Sequence, residues 1–198
     1  MKEIQTANKT NINLIRTLLN VARLELGTFE HKTELVDLKK LVKDVIKSLD
    51  PCLSKGEIKI TQHYGKDLKP VLSDPEALEI ILHNLLSNAC KYSPKGGKVR
   101  IEVDLVKGQT GNKKISLKVC DTGYGIPQQQ QSRIFTRMFR AENIRGKHKS
   151  GSGLGLYMVK LILKQMKGQV RFKSVESEGT SFCVTLPVVK IKKSKTKK

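Results

Sequence analysis

The 198-residue sequence predicts a two-layer α/β sandwich, with a mixed, mostly antiparallel sheet covered by helices and preceded by one long helix. Three observations carry this expectation. Apolar residues recur at helical spacing near residues 1–26 and 37–49, from Asp74 onward and over 154–166. Between those segments lie pairs of runs in which apolar and polar residues alternate, as strands with one buried face require. From 121 to 155 the chain is rich in Gly, Gln, Arg and Lys and keeps no period, and so long an irregular span inside a domain is usually functional. After the first helix the order is α, β, β, α, β, β, long loop, α, β, β, so helices precede and interrupt a sheet.

In the first helix Ile15, Leu18, Leu19 and Ala22 share a face at i, i+3, i+4 and i+7, and Gly27 is the expected stop. Such a helix cannot bury its own stripe and calls for a partner helix. Residues 28–36 read as a linker. Leu38, Leu41, Val42, Val45 and Leu49 make the next helix amphipathic, and Pro51 is expected to end it. Ile58 with Ile60, and Val71 with Leu72, suggest short strands. Asp74 is an N-cap candidate, Pro75 suits the first helical position and Glu76 the positive end of the dipole. Leu78, Ile81, Leu82, Leu85 and Ala89 form that helix's apolar stripe. Val99, Ile101, Val103 and Leu105 alternate, then Ile115, Leu117 and Val119, with a hairpin turn over 107–113. A last hairpin alternates Val170 and Phe172, then Phe182, Val184 and Leu186.

Composition narrows the class. The chain is 38% hydrophobic and 28% charged, ordinary for a folded soluble domain, and no apolar run is long enough for a membrane span. Formal charge is +20, of which the tail 190–198 supplies six lysines and no acid. The balance favours polyanionic partners. No aromatic residue interleaves the tail lysines, so the tail reads as a solvated end and no nucleic-acid partner is expected. Cys52, Cys90, Cys120 and Cys183 form no CxxC pair, and the expectation is buried, reduced thiols in a cytoplasmic setting.

Three motifs carry chemistry. Asn84, Asn88 and Lys91 lie at i, i+4 and i+7, away from the leucine stripe of their helix. That face is either a solvent-facing stripe or a site, since an amide oxygen suits Mg²⁺ and a lysine meets phosphate as a point charge. Asp121-Thr-Gly-Tyr-Gly-Ile126 leaves an apolar strand. It is either a plain Asp-x-Gly turn or a carboxylate aimed at a donor such as adenine's amine. Gly151-Ser152-Gly153-Leu154-Gly155-Leu156 opens a helix, where backbone N–H groups can face phosphate. No Lys-Ser/Thr pair follows it and no strand precedes it in a βαβ unit, which excludes a Walker loop and disfavours a dinucleotide fold. Phe135 and Phe139 look like anchors of a lid bearing Arg137, Arg140, Arg145, Lys147 and Lys149, a set that is otherwise a basic solvated loop.

Taken in order, these segments resemble the catalytic domain of sensor histidine kinases, within the ATPase superfamily shared by gyrase, the heat-shock chaperone and MutL. NLLSNACKYS resembles the asparagine box, DTGYGI and GSGLGL the two glycine boxes, IFTRMFR the phenylalanine box and GTSF the final turn. The resemblance runs from about Glu34 to Val189, and LLNVARLELGTFE is similar to the second dimerisation helix and linker. It implies the Bergerat ATP-binding fold over 37–189, a partial dimerisation helix over 1–27 and Mg-ATP as ligand. Asn88 is implied to hold Mg²⁺, Asn84 to orient metal, water or phosphate, and Lys91 to contact phosphate. Tyr92, Asp121, Gly123, Gly125, Ile126 and Thr180 are implied at the adenine end. Arg140 and residues 151–156 (Gly151, Ser152, Gly153, Leu154, Gly155, Leu156) are implied at the lid and phosphates.

His31, His63, His83 and His148 all lack the family's phosphoacceptor context, so the acceptor is expected outside this sequence, and each is expected to be structural or on the surface. The implied partners are a dimerisation domain with its acceptor histidine and a response regulator, with self-association through residues 1–26. The implied setting is the cytoplasm, for a full-length protein that is either free or tethered to a membrane. Two other classes compete: a nucleotide-dependent binding module, and a related hydrolase or serine kinase. The hydrolases use a glutamate general base on the asparagine-box helix, where this chain has Asn84 and the nearest acid, Glu79, is over a turn away.

Overall fold

The structure is a computed structural model that describes residues 2–108, 111–145 and 151–189. Its order is α1 (Lys2–Glu25), β1 (Glu34–Val36), α2 (Leu38–Ser48), α3 (Asp50–Gly56), β2 (Lys59–Tyr64), β3 (Val71–Ser73), α4 (Pro75–Lys91), β4 (Lys98–Lys107) and β5 (Lys113–Asp121). A 3-10 helix (Gln128–Arg133), α5 (Glu142–Arg145), α6 (Gly155–Gln165), β6 (Gln169–Val175) and β7 (Gly179–Pro187) follow.

Five strands form the main sheet in the order β2-β4-β5-β7-β6. Only the β2–β4 pairing is parallel; β4–β5, β5–β7 and β6–β7 are antiparallel. The alternation seen in the sequence fixes the sides. Val99, Ile101 and Val103 pair across with Val119 and Leu117 and their neighbours, and all point into the helical layer, fully buried. The intervening Arg100, Glu102 and Lys118 form an ion-paired group on the solvent face. Helices α2, α4 and α6 cover the apolar face, with Leu78, Ile81, Leu82, Leu85 and Ile162 at its centre. Burying each such side chain contributes about 2–3 kcal/mol, which is what holds α4 flat on the sheet.

Helix α4 begins as its sequence dictates. Asp74 is the N-cap and accepts from the Ala77 N–H at 3.0 Å, and Pro75 opens the first turn. Asp37 caps α2 likewise, accepting from Lys39 and Lys40. Gly27, at φ +71, lies just past α1, as a C-terminal stop does.

Three expectations need correction. Pro51 does not end a helix but sits in the first turn of α3, where its missing N–H is no loss. The linker contains a strand, since β1 pairs antiparallel with β3. Cys52 and Cys90 are joined by a disulfide with Cα atoms 6.4 Å apart, because α3 carries Cys52 against α4; Cys120 and Cys183 are free and half-buried rather than buried. Along α1, Val21 and Leu24 pack toward α6, while Ile15, Leu19 and Ala22 stay exposed, so the stripe is left unburied as expected. The docking face of α1 on α6 is therefore offset from the stripe that the 3.6-residue period picks out.

Side-chain bonds tie the start of the chain to the domain. Tyr157 Oη donates to Glu25 at 2.7 Å, and Gln165 Nε2 donates to the Leu24 carbonyl at 2.8 Å. The two ring nitrogens of His31 lie 2.7 Å from Asp74 Oδ2 and 2.9 Å from Gln165 Oε1. His31 thus links the linker to the N-cap of α4 and to α6. No helix among the described residues is long and apolar enough to cross a membrane.

Candidate functional site

A cleft opens between the outer face of α4, the segment after β5, the N-terminus of α6 and the start of β7. Asn84, Asn88, Lys91 and Tyr92 line one wall, contributed by the polar face of α4. Asp121, Gly125, Ile126 and Thr180 line the inner end. Gly151, Ser152, Gly153, Gly155 and Leu156 form the opposite side with Arg140. Four segments spread over almost a hundred residues of sequence therefore meet in one place.

Two candidates fall outside the lining. Leu154 is wholly buried at the N-cap position of α6, so its role is to seat that helix. Gly123 lies behind Asp121, where an added Cβ would meet the Tyr92 carbonyl, and donates its N–H to Asp121 Oδ1 at 2.9 Å. Arg145's side chain, Lys147, His148 and Lys149 lie outside the described residues.

The inner end is built round a half-buried carboxylate. Asp121 Oδ1 accepts from Gly123 N and, at 3.2 Å, from Thr180 N. Burial pushes its carboxyl up to about 6, with the two N–H donors pulling the other way. Both donors fall on Oδ1, which leaves Oδ2 for a ligand. The loop after Asp121 is fixed on all sides. Ile126 N–H donates to Ser174 Oγ at 2.9 Å, Gln131 Nε2 donates to the carbonyls of Ile126 and Ser174, and Asn143 Nδ2 donates to those of Tyr124 and Gly125. Gly125 has φ +63 and lies against the Val175 backbone, so no side chain fits there.

At the other end the charge is positive. Lys91 is half-buried one turn on from Asn88, and its loss of solvent lowers its ammonium below the usual range. Asn84 Nδ2 donates to the Ile80 carbonyl at 2.7 Å, which turns Oδ1 toward α6. A Cβ on Gly155 would come within 2.5 Å of that oxygen, so the missing side chain lets α6 start against α4. Phe135 docks edge-on against Phe172 and Phe182, centroids 5.9 and 6.4 Å away, and Arg133 covers Phe139 at 5.1 Å. The expected anchors are therefore seated, Phe135 in the core and Phe139 in the cleft wall.

Sequence reading passed over Ser174, Gln131, Asn143, Ile134 and Ile144. The first three support the Asp121 loop and the last two are apolar wall. Of the histidines, His31, His63 and His83 lie off the cleft, and burial with the nearby Lys91 lowers the pKa of His83.

A carboxylate at one end, a half-buried lysine and an arginine at the other, and glycine backbone between them define an ATP-binding domain. The chain belongs to the histidine kinase-, DNA gyrase B-, and HSP90-like ATPase family, whose model matches residues 73–190. Within it the chain is similar to sensor histidine kinases. It is 33% identical over 187 residues to the adaptive-response sensory kinase SasA of Crocosphaera subtropica, covering 93% of this chain and 47% of that protein. It is 32% identical over 178 residues to the sensor protein EvgS of Escherichia coli O157:H7, covering 89% and 15%. The chain thus spans less than half the length of these relatives. Among solved structures, full-length ShkA in complex with AMPPNP has a TM-score of 0.78 at 24% identity, over 94% of this chain and 38% of that one. The mycobacterial sensor histidine kinase MprB has a TM-score of 0.63 at 28% identity, over 78% and 98%. The two-layer fold and its mostly antiparallel sheet agree with these neighbours.

Proposed function

We propose that this chain binds Mg-ATP in the cleft and transfers the γ-phosphoryl group to a histidine of a dimerisation domain. The observation that carries this is the polarity of the cleft, which has a half-buried carboxylate where a base would sit and cations with amides where phosphates would lie. Asp121 Oδ2 accepts from the adenine amine, Thr180 completes that end, and Tyr92 and Ile126 wall the base. Lys91 and Arg140 draw the phosphates, and a phosphate beside Lys91 offsets the cost of its burial. The backbone of 151–155 faces the phosphate oxygens.

Asn88, with Asn84 next to it, is the residue to hold Mg²⁺. Among the described residues no group of three His, Cys, Asp or Glu side chains is placed to bind a metal. A single neutral amide oxygen suits an ion that keeps most of its ligands as water and phosphate. When bound, Mg²⁺ neutralises charge on the phosphates. What the chain itself supplies is positioning and positive potential, which is most of what phosphoryl transfer needs. No glutamate stands at Asn84 to activate water, which favours transfer to a supplied imidazole over hydrolysis.

The imidazole comes from outside the cleft. The exposed Ile12, Ile15 and Leu19 stripe of α1 supports pairing with other dimerisation helices. Residues 1–27 then belong to the dimerisation region and 28–36 to the linker. A response regulator takes the phosphoryl group onward, in the cytoplasm. The test is incubation with γ-labelled ATP and the dimerisation domain of a close relative such as SasA. Acid-labile label on that domain is expected. Binding of ATP without any labelling of a matched acceptor overturns the transfer reading.

A further inference from the structure

Ser174 lies on β6 and does not line the cleft, yet its hydroxyl joins two parts of the adenine end. Its Oγ accepts from the Ile126 N–H at 2.9 Å, lies 3.1 Å from the Gly179 carbonyl oxygen and is 2.9 Å from Thr180 Oγ1. A hydroxyl has one proton and two lone pairs. The Gly179 carbonyl can only accept, so all three contacts are satisfied together only when the Ser174 proton goes there. The Ile126 N–H occupies one lone pair. The contact to Thr180 is then a bond only if Thr180 donates its proton to Ser174.

The consequence falls on Thr180. With its proton committed to Ser174, Thr180 Oγ1 has only lone pairs to offer the cleft. Asp121 beside it offers Oδ2, because Oδ1 is taken by two N–H donors. Facing the 6-position of a purine, two acceptors side by side match both hydrogens of an exocyclic amine and repel a keto oxygen. A Thr180 hydroxyl free to rotate could serve either edge.

We propose that Ser174 is a specificity-setting, positioning residue: it fixes Thr180 as an acceptor, so that the site takes a 6-aminopurine and rejects a 6-oxopurine nucleotide. This rests on the reading of Asp121 and Thr180 as the base-binding end. Ser174 also braces the Ile126 wall, but a brace alone weakens every purine nucleotide equally, whereas setting the sense of Thr180 changes their ratio.

The experiment is calorimetric titration of the full chain with ATP and with ITP, both with Mg²⁺, for wild type, Ser174→Ala, Ser174→Cys and Ser174→Thr. Wild type is expected to prefer ATP. Ser174→Ala is expected to compress the ATP-to-ITP preference roughly tenfold, the scale of one hydrogen bond, because the released Thr180 hydroxyl can turn its proton toward the 6-keto oxygen. Ser174→Thr keeps the hydroxyl and is expected to keep the wild-type ratio. Ser174→Cys nearly preserves volume but accepts poorly, so it is expected to compress the ratio as well, which keeps the test decisive if the alanine variant does not fold. Parallel weakening of both nucleotides at an unchanged ratio overturns the proposal while leaving the base-binding reading intact. A wild type that does not distinguish ATP from ITP sinks that reading, and this proposal with it.

Discussion

Replacing Asp121 by asparagine should make the protein more stable and unable to hold adenine. Burial raises the Asp121 carboxyl from 3.8 to about 6. The folded state therefore keeps this proton over a pH range in which the unfolded chain has lost it. Stability contributed by the group falls as pH rises from about 4 to about 6, then levels off. Each pKa unit is worth about 1.4 kcal/mol, so the ionised carboxylate costs the unliganded fold up to about 3 kcal/mol at neutral pH. An asparagine Oδ1 can still accept from Gly123 N and Thr180 N, so the loop keeps both bonds. Asp121→Asn should then raise Tm at pH 7.5 by several degrees, with the gain shrinking as pH falls through 6 and gone near 4. The same variant should lose ATP binding, since its outward atom is a donor facing a donor. Wild-type affinity for ATP should in turn fall as pH drops through about 6. Thermal denaturation and nucleotide titration from pH 4 to 8 measure both. A variant no more stable than wild type at pH 7.5, or one whose advantage grows toward pH 4, would refute the assignment of burial as the cause.

Two further predictions concern the frame. Cys52→Ser should lower stability by about 3–4 kcal/mol in denaturant titrations, because the disulfide closes a loop of 38 residues; reducing agent should bring wild type to the same value and leave the variant unchanged. Gly155→Ala places a Cβ within 2.5 Å of Asn84 Oδ1. It should cost roughly tenfold in nucleotide affinity with little change in Tm, since alanine's helix preference of about 1 kcal/mol offsets the local crowding.

Much of this molecule is legible in its sequence where a pattern is long or where a cap is explicit. Asp74-Pro75-Glu76 announces α4, and alternation gives both faces of β4, β5 and β7, hence the side on which the helices lie. The asparagine, glycine and phenylalanine segments state their own chemistry, but only folding shows that Asn88, Asp121 and Gly153 share a cleft. What escaped reading is short or non-periodic. Three residues of β1 carry no detectable alternation. The parallel β2–β4 pairing depends on contacts across the whole of β3 and α4. Pro51 is compatible with ending one helix or starting another, and only the second carries Cys52 to Cys90. Ser174, Gln131 and Asn143 are ordinary polar residues in sequence, and their role comes from the carbonyls and N–H groups that the fold brings to them. The contact of α1 with α6 through Val21 and Leu24 is not marked in the sequence, because the helix's outer stripe is more regular than its inner face.

The claim on which the rest depends is that one metal–nucleotide complex touches α4, the Asp121 loop and the glycine segment together. Titration of wild type and Asn88→Ala with an ATP analogue, in Mg²⁺ and again in chelator, tests it most directly. Wild type should bind far more tightly with Mg²⁺, and the variant should lose most of that difference while keeping its Mg²⁺-independent affinity. Equal Mg²⁺ dependence in the two proteins would contradict the site as assembled.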